Sequence, residues 1–174
     1  MGFGTGAECP PQPAVLGNAD PAAGHCTDMT LQGEYVPSKA AWVRDQVAAF
    51  EASNGAEANI LERTGDPIVV ITSVGAKSGN LRKNPVMRVE RDGKYVAVAS
   101  IGGAPENPEW YFNFLAHPEV DLQDGPVKKT YTARLLSSDE RAEWWDYAVK
   151  TWPTYGEYQK KTDREIPVFL LEAV

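Results

Sequence analysis

The chain has 174 residues, 43% hydrophobic and 24% charged, with a formal net charge of −7. That length and balance fit one soluble globular domain with a sizeable core and exclude a wholly disordered chain. The negative charge argues against nucleic acid as a partner, and no uncharged run approaches the ~18 residues of a membrane-spanning helix.

Residues 1–28 are rich in Gly, Pro and Ala, carry Glu8, Asp20 and Asp28 with no base, and show no hydrophobic period. They are expected to form a disordered tail, with Met29 opening a single structured domain over 29–174. No basic segment followed by an apolar core stands at the N-terminus, so no secretory signal is expected and a cytoplasmic location is the default. Cys9, His25 and Cys26 fall in the tail, and His117 is the second of the two histidines. A zinc site therefore lacks ligands, and a Ser-His or Cys-His pair would rest on His117 alone. Hard chemistry in such a chain belongs to a bound cofactor.

Ser38 is an N-cap candidate for a helix over Lys39–Ser53, with Trp42, Val43, Val47 and Phe50 on one face and Asn54-Gly55 as its stop. Its polar face mixes Lys39, Arg44, Asp45 and Glu51, which favours packing on its own domain; peripheral contact with the inner membrane face is the alternative. Ile68–Thr72 reads as a strand, Gly75–Asn80 as a loop and Val86–Arg91 as the next strand. Asp92-Gly93 signals a hairpin into Tyr95–Ala99. Asn107 as cap and Pro108 in the first turn open a helix through Trp110, Phe112 and Leu115 to His117-Pro118. A second hairpin joins Val120–Gln123 to Val127–Leu136 through Asp124-Gly125. Ser137 to Glu140 reads as a capping box for a helix reaching about Thr151. A Tyr-rich turn after Pro153 leads to a last strand, Pro167–Glu172. Six short strands, mostly hairpin-paired with helices between them, predict an α+β, mainly antiparallel fold: a small barrel with peripheral helices.

Between Asp66 and Glu90 stand Lys77, Arg82, Lys83 and Arg88 and no acid, in a chain that is acidic overall. Small residues from Gly75 to Gly79 let backbone approach an anion, and the bases supply charge-assisted hydrogen bonds. The run fits a phosphate or carboxylate cradle; a solvated hairpin loop has the same composition. It is not a Walker A loop, because the glycine four residues before a Gly-Lys pair is missing. Ser100 to Ala104 then offers glycines beside a strand end, with space for a flat ligand or a simple turn. Trp144, Trp145, Tyr147, Trp152, Tyr155 and Tyr158 crowd the C-terminal region. Trp145 and Tyr147 suit helix packing, whereas Trp152, Tyr155 and Tyr158 flank Pro153 and Gly156 and can wall a planar apolar substrate.

Four motifs in series resemble the deazaflavin-dependent nitroreductase family, the coenzyme F420-dependent reductases of actinobacteria. They are Gly-Ala-Lys-Ser-Gly-Asn-Leu-Arg-Lys-Asn-Pro (75–85), Ala-Ser-Ile-Gly-Gly-Ala (99–104), Asn-Pro-Glu-Trp-Tyr-Phe-Asn (107–113), and the pair at 152–159 and 162–168. The resemblance runs from about Ile68 to Glu172 and implies a split β-barrel of the flavin-mononucleotide-binding type. It implies reduced F420 as hydride donor, whose phosphodiester and glutamate tail suit a cationic loop. By position, Ala76, Lys77, Ser78, Arg82 and Lys83 would hold the phosphate and tail. Asn84, Pro85, Val86 and Met87, with Val98, Ala99 and Ser100, would line the ring, bordered by Trp110 and Tyr111. Tyr155 and Tyr158 match substrate-pocket tyrosines, with Trp152 where prodrug-activating members carry another tyrosine.

The resemblance thus implies hydride transfer to a small planar electrophile: a quinone, an activated alkene such as an enone or lactone, or a nitroaromatic. Ser100, Tyr155 and Tyr158 are the candidate catalytic groups, holding or protonating a developing anion. Two rivals stand beside it: an FMN-dependent oxidoreductase on the same fold, and a non-catalytic deazaflavin-binding protein. Split-barrel relatives are often dimers, so a homodimer is the expected assembly.

Overall fold

In the computed structural model, which describes residues 31–174, the β-branched run Ile68–Val74 forms β1 of a seven-stranded antiparallel sheet. The other strands are β2 (Leu81–Met87), β3 (Glu90–Arg91), β4 (Lys94–Val98), β5 (Glu119–Asp124), β6 (Val127–Leu135) and β7 (Val168–Ala173), in the order β2-β1-β5-β6-β7-β4-β3. The helices are α1 (Ala41–Ala52), α2 (Glu109–Ala116), α3 (Ser138–Thr151) and α4 (Thr154–Lys160).

Period-two alternation sorts the strand residues into two apolar faces. Val69 and Ile71 of β1, Ala97 of β4, Leu122 of β5, Tyr131 of β6 and Phe169 of β7 meet in one core, which the sheet curls round and α2 caps with Trp110 and Phe114. On the opposite face Ile68 and Val70 take Val43, Val47 and Phe50 of α1. Val96, Val98, Val168 and Leu170 on that face take Trp144, Ala148 and Tyr155 from α3 and α4. With β2 approaching β4 across the opening, the sheet is a curled half-barrel of the split-barrel type with peripheral helices, as the resemblance implies. No helix among the described residues is long and apolar enough to cross a membrane.

Several local expectations are corrected. The helix expected from Lys39 starts at Ala41, and Ser38 does not cap it: its Oγ accepts the Ala40 N–H at 3.2 Å. Burial of Val43, Val47 and Phe50, about 1.5–3 kcal/mol for each fully buried side chain, holds α1 instead. Trp42, expected on that face, is 62% exposed. The Asn54-Gly55 stop is present: both residues have positive φ, and Gly55 N–H donates to Phe50 O at 2.7 Å.

The strand expected over Val86–Arg91 is two elements. β2 begins at Leu81 because its seven residues pair in register with all of β1, Leu81 opposite Val74 and Met87 opposite Ile68. The capping box is absent. Glu140 is held bidentately by Arg134 at 2.7 and 2.8 Å, a charge-assisted pair that outcompetes a neutral backbone donor. Asn107 likewise caps nothing, its Oδ1 accepting from Arg164. The turn after Pro153 is helix α4, and β3 brings the strands from the expected six to seven. The expectations for residues 1–28, with Cys9, His25 and Cys26, lie outside the described residues.

Candidate active site

The β1–β2 connection is a closed loop. Gly75 N–H donates to Asn80 O at 2.8 Å, Gly79 N–H to Gly75 O at 2.9 Å, and a Cβ on Gly75 would stand 2.7 Å from Ser78 Oγ. Asn113, buried on the inward face of α2, fastens the loop to the core: its Oδ1 accepts the Ala76 N–H at 2.9 Å and its amide reaches Ser73 Oγ at 3.5 Å. Lys77 and Ser78 stand exposed at the tip.

Register divides the cations of β2. Arg82 lies opposite Ser73, Asn84 opposite Ile71 and Val86 opposite Val69, on the face of the α2-capped core. Lys83, Pro85 and Met87 alternate to the other face. There Lys83 Nζ sits 2.6 Å from Glu51 Oε1 and 4.6 Å from the centre of the Tyr35 ring, so its charge is largely neutralised. Arg82 has no carboxylate partner among the described residues; its Nη1 donates to Val36 O at 3.2 Å. The segment around Tyr35 adds to β2 through Val36 N–H to Leu81 O (3.0 Å) and Leu81 N–H to Glu34 O (2.8 Å). Between this segment, β2 and α2 lies a cleft of about 350 Å³, lined by Lys39, Arg82, Lys83, Asn84, Trp110 and Asn113, with Glu109 as an acid in its wall.

At the end of β4 neighbouring residues part company. Ala99 packs with Trp110 in the inner core, while Val98 packs with Tyr155 on the other face. Tyr111 borders the inner core, its ring centre 5.6 Å from that of Phe169. The turn that follows is strained: Ile101 has φ +41°, with Gly102 and Gly103 at +63° and +88°. A Cβ on Gly103 would come within 2.6 Å of Tyr158 O, so the turn abuts α4. Arg164 grips this turn from behind. Its Nε donates to Ala104 O (2.9 Å), Nη1 to Asn107 Oδ1 (2.7 Å), and Nη2 to Ala99 O (2.9 Å) and Ser100 O (3.3 Å).

Tyr155 is 3% exposed, and burial pushes its phenol well above the usual range, so it is a neutral hydroxyl at every physiological pH. Its ring centre lies 6.5 Å from those of Trp145 and Tyr158. Trp152 is half-buried and donates its Nε1–H to Arg88 O at 2.9 Å. Two groups result. Arg82, Asn84 and Trp110 share the cleft, with Ala76 tied to it by Asn113; Val86, Ala99 and Tyr111 continue the same side of the sheet. Met87, Val98, Trp152, Tyr155 and Tyr158 gather on the opposite side, and Pro85 shares the outward register with Met87. The Ser100–Gly103 turn follows directly on Ala99 of the first group and abuts α4 of the second. Asn113 and Arg164 were not singled out from sequence. The available signals were a polar residue three positions after Trp110 on an otherwise apolar helix face, and a lone arginine between Asp163 and Glu165.

The F420H(2)-dependent quinone reductase family profile matches residues 42–173. An F420H(2)-dependent quinone reductase of Mycobacterium tuberculosis is 32% identical over 113 residues, covering 60% of this chain and 72% of that protein. The solved structure of an F420-H2 dependent reductase, FDR-A, is 54% identical with a TM-score of 0.59 over 65% of this chain and 97% of that one. A domain-swapped dimer is 48% identical with a TM-score of 0.61, covering 78% of this chain and all of that one. The chain belongs to the F420H(2)-dependent quinone reductase family, oxidoreductases whose cofactor is reduced coenzyme F420.

Proposed function

We propose that this protein transfers a hydride from reduced F420 to a quinone, with activated alkenes and nitroaromatics as further acceptors of the same planar, electrophilic class. The observation that carries the reading is the cleft between β2 and α2. Its donor set fits an anionic cofactor: Arg82 without a carboxylate partner, Lys39 across from it, and a loop of small residues held in place by Asn113. Flavin mononucleotide, with one compact phosphate, leaves a base at Lys77 and another at Lys39 without an anion to serve.

When bound, reduced F420 supplies the hydride. The residues of this chain do the rest. Arg82, Lys39 and Lys77 bind negative charge, with Ala76 and Ser78 shaping the loop and Lys83 anchoring β2 to α1 through Glu51. Val86, Ala99, Trp110 and Tyr111 offer an apolar wall for the ring and exclude water, with the Asn84 amide beside them; Pro85, Met87 and Val98 back the same strands from the outer face. Ser100, 8% exposed at the end of β4, offers a hydroxyl to the oxygen or carbon that accepts charge, and no ionisable base is required. Tyr155 and Tyr158, with Trp152, would border the acceptor; the raised phenol of Tyr155 makes it a donor and never a base. A homodimer is the assembly we expect, supported by the domain-swapped dimer it resembles.

Oxidation of reduced F420, followed with menadione, an enone and a nitroaromatic in parallel, tests the reading. Turnover with menadione that falls in Ser100→Ala supports it; no acceptor-dependent oxidation of reduced F420 with any of the three overturns it.

A further inference from the structure

Ile101 is a β-branched residue in the left-handed region, a conformation that costs of order 1–3 kcal/mol and persists only where surrounding contacts over-determine it. Beside the turn's own bonds, Gly103 N–H to Ser100 O (2.9 Å) and Ala104 N–H to Ile101 O (3.1 Å), one side chain supplies the long-range polar contacts to it. The Arg164 guanidinium donates to oxygens of four residues, Ala99, Ser100, Ala104 and Asn107, which bracket the strained turn on both sides. It has no carboxylate within salt-bridge distance among the described residues, the attraction of Glu106 acting from further off, so its hydrogen bonds go to those oxygens. A guanidinium presents its donors in a rigid planar fork, which suits a clamp on several carbonyls; an ammonium does not hold that geometry.

We infer that Arg164 is a positioning residue for the reaction, fixing the Ser100–Gly103 turn so that the Ser100 hydroxyl meets the acceptor. This rests on the reading of Ser100 given above. The clamp reaches the Asn107 side chain as well, two residues before α2. A purely structural arginine would lower stability and every kinetic constant together. A positioning arginine moves kcat and leaves cofactor affinity where it was, because the cation set of the cleft is untouched.

The test compares Arg164→Lys, Asn107→Ala, Ser100→Ala and the double variant Arg164→Lys with Ile101→Gly in the full chain. For each, kcat and KM for menadione, the F420 dissociation constant by fluorescence and Tm are measured. Arg164→Lys is expected to lower kcat about tenfold with the F420 constant within about twofold, and Asn107→Ala, which removes one acceptor and leaves the core intact, about threefold. Glycine adopts the left-handed conformation without strain, so Ile101→Gly is expected to restore about threefold or more of the kcat lost in Arg164→Lys. Full kcat in both Arg164→Lys and Asn107→Ala, or no recovery in the double variant, overturns the inference. Full activity of Ser100→Ala overturns the reading of Ser100 and so the role assigned to Arg164; loss in Ser100→Ala with none in Arg164→Lys leaves that reading standing and overturns only the clamp.

Discussion

Replacing Asn113 by leucine separates the loop that carries Lys77 from the core while changing side-chain volume little. Two contacts go: the 2.9 Å bond from Ala76 N–H and the longer one to Ser73 Oγ, a group with no solvent exposure. The Ala76 bond is worth about 0.5–1.5 kcal/mol net, and the stranded serine hydroxyl adds a comparable amount. A loss of about 2 kcal/mol lowers Tm by about 4–8 °C in a domain of this size. Binding then has to order a loop that the free protein no longer holds, at about 1–2 kcal/mol for each residue fixed. Affinity for F420 is therefore expected to fall about tenfold or more. Thermal melts and F420 fluorescence titration on the same preparation read both effects. A fall in Tm with F420 affinity unchanged within about twofold would refute the role given to the Asn113 tether.

Three more outcomes are expected. Gly103→Ala places a methyl within 2.6 Å of Tyr158 O at φ +88°, and should cost about 2 kcal/mol in chemical denaturation, whereas Gly93→Ala, at φ +77° with open space around it, should cost less. Glu109→Gln removes the acid from the cleft wall and should tighten F420 binding about threefold at low salt, an advantage that shrinks in ~0.5 M salt; equal affinities at low salt would contradict the cleft as the anion site. The raised phenol of Tyr155 means that the native state keeps its proton where the unfolded chain, ionising near pH 10, has lost it. The contribution of Tyr155 to stability is then fully present below about pH 10 and is lost as pH rises above it, and Tyr155→Phe should lessen an alkaline slope that Tyr95, raised in the same direction by burial, shares.

Apart from the Ser38 cap, a local signal that failed, what sequence revealed and what it hid divide by the distance of the partner. Features set by near neighbours were legible: the Asn54-Gly55 stop of α1, the Asp92-Gly93 and Asp124-Gly125 turns, and the apolar run of β1. Features set by distant partners were not. Arg82 and Lys83 read alike as loop bases, yet only the fold decides that, of these two cleft-lining cations, Lys83 is neutralised by Glu51 and Arg82 is not. Tyr155 and Tyr158 sit around a glycine and after a proline, which reads as a turn; packing of α4 on α3 and on the strained turn makes them helical. Asn113 and Arg164 act on residues 37 and 57–65 positions away, beyond the reach of any local pattern. The four motifs, by contrast, pointed to the F420-dependent family that the family profile shows, because each is a short local pattern readable without its distant partners.

The most informative measurement is a pair of fluorescence titrations, F420 against flavin mononucleotide, on the unmodified chain and on Arg82→Ala. Binding of F420 at least about tenfold tighter than flavin mononucleotide, weakened about tenfold by Arg82→Ala and increasingly salt-dependent at low ionic strength, is the predicted result. Preference for flavin mononucleotide, or F420 binding indifferent to Arg82, would contradict the assignment of the β2–α2 cleft to the deazaflavin cofactor.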